Sequence, residues 1–121
     1  MGMNRKSKRK ITCLNRVFYW YVKPDWEDAG KVNVHIISED KKFIVVYEVG
    51  QTKIQKTKPF IVIQGLEFAG IAQSRTGYQR VLTPVWKDDI ITPSFIEKII
   101  KWSVSPKENL IFVNYLGEIV I

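Results

Sequence analysis

The sequence holds one cysteine, one histidine and no long apolar run, and each shortage removes a class of function. A lone Cys13 cannot close an internal disulfide, which fits a reducing compartment. One cysteine and one histidine are too poor a ligand supply for a structural zinc site, so no metal is expected. A Cys13–His35 dyad would need the fold to bring the two together, and nothing in their spacing does so. No uninterrupted apolar stretch approaches the ~20 residues of a membrane-spanning helix. Asn15 and Arg16 break "ITCLNRVFYWYV" before the apolar core of a signal peptide develops. A cytoplasmic protein without a membrane partner is the expectation.

Phosphate-cradling loops are missing as well. Gly65, Gly70 and Gly77 fit neither G-x-G-x-x-G nor the P-loop, and no Gly-Lys-Ser/Thr occurs. Pro24-Asp25 with Glu39–Lys41 matches the letters of a metal-dependent nuclease signature, whose acid-x-lysine must lie on a strand. Here "EDKK" sits between two apolar strand patterns and reads as a turn, so the match is rejected. No catalytic residue and no cofactor is expected; the chain leans away from an enzyme, with an enzyme of unrecognised residues kept as a third, weaker alternative.

What is present is charge at one end and β-rich patterning elsewhere. The formal net charge is +7 over 121 residues. Arg5, Lys6, Lys8, Arg9 and Lys10 fall within the first ten residues, with no acid among them. The rest of the chain is close to balanced. Residues 1–9 are therefore expected to be a basic, flexible tail that attracts polyanions in a salt-dependent way, and 10–121 a single domain. With 45% hydrophobic residues, a chain of this length can build a proper core.

"KITCL" and "VFYWYVK" read as a hairpin closed at Asn15-Arg16, and "PDWEDAG" as a following loop. "KVNVHIIS" and "FIVVYEV" form a second hairpin across "EDKK". "PFIVIQ" is a short strand with proline tolerated at its start, and "YQRVLTPVW" another that ends near Pro84. "TPSFIEKIIKW" is the clearest helix. Thr92 is its N-cap, Pro93 suits the first helical position, and Phe95, Ile96, Ile99, Ile100 and Trp102 share one face. Asp88 and Asp89 precede it and would favour its positive N-terminus if the chain folds back. "NLIFVNYLGEIVI" is either one bent strand or a hairpin turning near Asn114–Gly117. The expected fold is α+β: a mainly antiparallel sheet of about 6–8 short strands, with one amphipathic helix at about 93–103 packed on it.

Within "RVFYWYVKPDW", alternation sends Phe18, Trp20 and Val22 to one side as core. Val17, Tyr19, Tyr21 and Lys23 go to the other, next to Arg16. Flat rings flanked by cations suit either a protein interface or single-stranded nucleic acid. The alternative is that both tyrosines pack beneath the helix or another sheet. A second candidate is the glycine-bearing loop with Arg75, Tyr78 and Arg80. The favoured function is a small non-catalytic protein that binds another protein, of inhibitor, immunity or adaptor type. The runner-up is a nucleic-acid-binding module that uses the basic start with Arg16, Tyr19, Tyr21, Lys23, Arg75 and Arg80.

Overall fold

A computed structural model describes residues 8–25, 31–51, 58–71, 78–88, 90–107 and 110–119. Six strands, β1 (Arg9–Cys13), β2 (Arg16–Asp25), β3 (Lys31–Ser38), β4 (Ile44–Glu48), β5 (Phe60–Ile63) and β6 (Gln79–Leu82), pair in chain order as one antiparallel sheet. Helix α1 (Pro93–Val104) follows them. This is the expected α+β architecture with a mainly antiparallel sheet. Short connections between β-branched runs favour such a meander, because each strand meets its sequence neighbour at little cost in loop entropy.

Alternation decides what is buried. Phe18, Trp20, Val34, Ile36, Val45, Tyr47, Ile61, Ile63 and Val81 occupy one face, and α1 lays Phe95, Ile96, Ile99 and Ile100 against it. Each such side chain contributes on the order of 1.5–3 kcal/mol by leaving water. Thr92 caps the helix, its side chain accepting from Phe95 N–H at 3.2 Å, with Pro93 in the first turn. Glu97 and Lys101 pair on the outer side at 2.6 Å. Beyond the helix, edge-to-face rings link Phe68 to Trp102, Trp102 to Trp86, and Trp86 to both Tyr47 and Phe95. The ammonium of Lys107 lies over Phe68 and Trp102 and donates to the carbonyls of Ser103 and Ser105 at the helix end; burial lowers its pKa to about 8.

Several local expectations need correction. The β1–β2 turn is Leu14-Asn15, not Asn15-Arg16, because Cys13 pairs with Arg16. Both turn residues have positive φ, 54° and 61°, as the two-residue turn that matches strand twist demands. The "PDWEDAG" loop begins later than expected, since Pro24 and Asp25 belong to β2 and pair with Val32 and Lys31. The proline costs no ladder bond: the even-numbered β2 residues turn their N–H toward the β1 side, and β1 has already ended at Arg9 opposite Trp20. For the same reason Val22 is 41% exposed and not core. β6 ends at Leu82, close to Pro84 as expected, and Trp86 packs from the irregular segment that follows. Asp88 is committed away from the helix N-terminus, and Asp89 lies outside the described residues. Asp88 is buried, and accepts from Gly50 N–H at 2.6 Å and from Tyr47 O–H at 3.4 Å. The last segment turns at Asn114–Gly117 and forms a bridge between Val113 and Ile119, the hairpin alternative.

Two buried details position the strands. Gln51 acts as a piece of strand: its amide donates to Glu48 O and Phe60 O and accepts from Phe60 N–H, tying the end of β4 to the start of β5. Gly65 packs so close to β4 that a Cβ would collide with Lys42 O and Ile44 N.

Replacing Gln51 by Leu strands three partly buried backbone groups, and should lower stability by about 2–4 kcal/mol. A urea titration would show this as a lower midpoint at unchanged slope. The double change Leu14→Asn with Asn15→Gly gives the turn residues that favour positive φ. It should raise stability by about 1–2 kcal/mol in the same assay.

Candidate protein interface

The face opposite α1 carries three cross-strand rows. Lys10, Tyr19, Ile37 and Ile44 form one; Tyr21, His35, Val46, Val62 and Arg80 the next; Lys23, Asn33 and Glu48 the third. Phe60 and Leu82 continue the third row on β5 and β6. At ~4.8 Å between strands, the face spans roughly 24 Å from β1 to β6. Helix α1 and the segments that bear Phe68, Ile71, Trp86 and Leu110 all pack on the other face. No described helix or second sheet lies on the tyrosine face. Its centre is aliphatic (Ile37, Ile44, Val46, Val62), and Lys10, Lys23 and Arg80 stand on its margins with Lys8.

Tyr21 is held between neighbours. His35 stacks on its ring at 4.6 Å and 2° between planes, and the Lys8 ammonium lies over it at 5.1 Å. Lys8 precedes β1 and His35 is on β3, so they approach from opposite sides and cover both flat faces of the ring. Tyr19, one row away, is half-buried between Lys10 and Ile37. Burial, with Lys23 and Lys8 adding to it, holds the His35 imidazole below its ordinary 6.5. The tyrosines are thus packed sideways within the sheet surface, and none of the described elements covers them.

Arg16 belongs elsewhere, a correction to the expected cluster. It shares its side with Phe18, over whose ring its guanidinium lies at 5.2 Å. It donates two parallel bonds to Glu67, both 2.7 Å, and sits 3.8 Å from Asp40. Its pKa rises, chiefly through the hydrogen bond to Glu67. Geometry of this kind is worth more than a loose surface pair, because a bidentate fork holds both partners in register. Nothing in the sequence linked Arg16 to an acid 51 residues away.

Of the other candidates, Arg80 lies on the tyrosine face, four strands from Tyr21, and Tyr78 precedes β6 with 61% of its surface exposed. Lys23 is exposed near the far end of β2. Arg9 and Lys10 are exposed in β1, where the Arg9 guanidinium lies 5.4 Å over the Trp20 ring. Arg5, Lys6 and Arg75 lie outside the described residues. The aliphatic centre formed by Ile37, Ile44, Val46 and Val62 was missed. Its signal was the same alternation that singled out the tyrosines, applied to β3, β4 and β5.

Chemistry by a Cys–His pair is ruled out by the sheet itself: Cys13 lies on the α1 side and His35 on the other. The "EDK" residues occupy a turn, with Lys41 at φ 62°, and Asp40 accepts from Ser38 O–H and Lys42 N–H. Among the described residues, no group of three or more His, Cys, Asp or Glu could hold a metal.

The lowered His35 pKa has a pH consequence. The unfolded chain takes up a proton at about 6.5 that the folded protein still refuses, so stability should fall as pH drops through that value and level off below the folded pKa. Urea midpoints between about pH 7.5 and 5.5 should decline for the native chain and decline less for His35→Gln. Equal slopes would remove His35 as the cause.

Comparison with protein-family models, with curated proteins and with solved structures yields no match, so the reading of this face rests on its own geometry.

Proposed function

We propose that this chain is a small non-catalytic binding protein that engages another protein through the tyrosine face, in an inhibitor, immunity or adaptor role. The observation that carries the reading is the composition of that face: an aliphatic centre with tyrosines beside it and cations on the margin. Protein interfaces combine an apolar middle, aromatic anchors and a polar rim in this way. The cytoplasm is the proposed compartment, on the strength of a single, buried cysteine.

A nucleic-acid partner has less support. Bases stack on open ring faces, and both faces of Tyr21 are taken by Lys8 and His35. The aliphatic rows beside it offer no flat surface to a base. What favours that reading is the cationic margin and the basic start of the chain, which an acidic protein satisfies equally well.

A photo-cross-linking residue placed at Tyr19 or Val62 in the native cell should yield one discrete protein adduct, lost when Ile44→Asp is added. The same label at Lys98, on the exposed side of α1, should yield none. Equal adducts at Lys98, or adducts to nucleic acid alone at Tyr19, would overturn the proposal.

A further inference from the structure

The sheet has two outer edges, and they are not alike. On β6, Leu82 N–H donates to Ile111 O and Val113 N–H to Arg80 O, both at 2.9 Å, so residues 111–113 cover that edge. At the other end, β2 is the only strand paired with β1 among the described residues. Which β1 groups face outward follows from the phase of pairing. Val17 O accepts from Glu39 N–H at 3.0 Å, so the odd-numbered residues of β2 aim their backbone at β3 and the even-numbered ones at β1. The even-numbered residues Arg16, Phe18 and Trp20 pair with Cys13, Ile11 and Arg9, which therefore spend their N–H and C=O inward. Lys10 and Thr12 turn theirs outward. Among the described residues, neither has a backbone partner on that side.

Two outward N–H groups and two outward C=O groups, spaced as in a strand, are what an added strand needs. Edges of this kind are commonly guarded by charge, and here Lys10 and Arg9 are both exposed. The guard is of one sign. A second copy would bring Arg9 and Lys10 against their own kind, whereas an acidic segment would find its counter-charges on both sides of the new strand. Lys10 and Thr12 also share the tyrosine face, so a strand added here continues the row that holds Tyr19 and Ile37. We propose that the outer edge of β1 is a strand-addition site for an extended, acidic segment of a protein partner.

This inference rests on the protein-binding reading and gives that partner its chemistry. It predicts backbone pairing at Lys10 and Thr12, with Glu or Asp side chains of the guest beside Lys10, Arg9 and Lys8. The electrostatic share of binding weakens with salt, and the backbone share does not.

The test uses the full chain and a capped peptide of about six residues, a typical strand length, alternating Glu with Val. Hydrogen exchange followed by NMR should show new protection at the amides of Lys10 and Thr12. A peptide with Gln in place of Glu should bind roughly tenfold more weakly or worse. Thr12→Pro removes an outward donor that no ladder bond uses, so the fold should stand while affinity falls about tenfold. Lys10→Glu, an exposed change, should weaken the acidic peptide and favour its Lys counterpart. Protection elsewhere with Lys10 and Thr12 unchanged, or equal affinity for the Gln peptide, would overturn the proposal. So would a self-associated species in sedimentation that Thr12→Pro dissolves, since the occupant would then be a second copy. If the edge fails and the Tyr19 cross-link persists, the face reading survives. If both fail, the protein-binding reading falls with it.

Discussion

The hydrogen-bond phase of β2 is the constraint on which most of this molecule depends. Every residue there makes two commitments at once, its side chain to a face and its backbone to a neighbour. Phe18 and Trp20 put their side chains under α1 and their backbones toward β1, while Tyr19 and Tyr21 do the reverse on both counts. A slip by one residue would expose the core and bury the tyrosines, so burial of the α1 stripe locks the register. The same phase lets Pro24 continue the strand, leaves Val22 exposed where β1 has ended, and turns Lys10 and Thr12 outward.

Around this sheet, side chains do much of the work that regular structure leaves undone. Gln51 substitutes for a backbone unit between β4 and β5, and Asp88 fastens Gly50 and Tyr47. The Arg16–Glu67 fork fastens the start of β2 to the segment after β5. Buried polar groups without such partners would each cost about 1–3 kcal/mol, so these residues are constrained by satisfaction more than by attraction. The Asp88 and Arg16 ties lie on the α1 side, and the Gln51 tie lies in the plane of the sheet. The tyrosine face is shaped mainly by strand order, with its cations at the margins because strand termini and edges are where long charged side chains reach water.

Much of this was legible in the sequence, for local reasons. The α1 stripe and its Thr92 cap both involve residues within a few positions of one another, and the structure bears them out. The misplaced turn at Asn15-Arg16 has a different origin. Asn is the residue that tolerates positive φ, yet Leu14 adopts it as well, since strand pairing outweighs the preference of one turn residue. Arg16 looked like a member of the tyrosine cluster because it is adjacent in the chain, although its parity places it on the opposite side. Glu67, its true partner, lies in a stretch without periodicity.

By itself, then, the amino-acid sequence determined the strands, the helix and which residues of each element share a face, because those depend on periods of 2 and 3.6 along a short length of chain. Only the tertiary structure decided which face α1 covers, which sheet edge residues 111–113 close, and that Tyr21 is flanked by Lys8 and His35. Each of those outcomes joins segments far apart in the chain, where the choice is made by packing and backbone satisfaction and not by any local pattern.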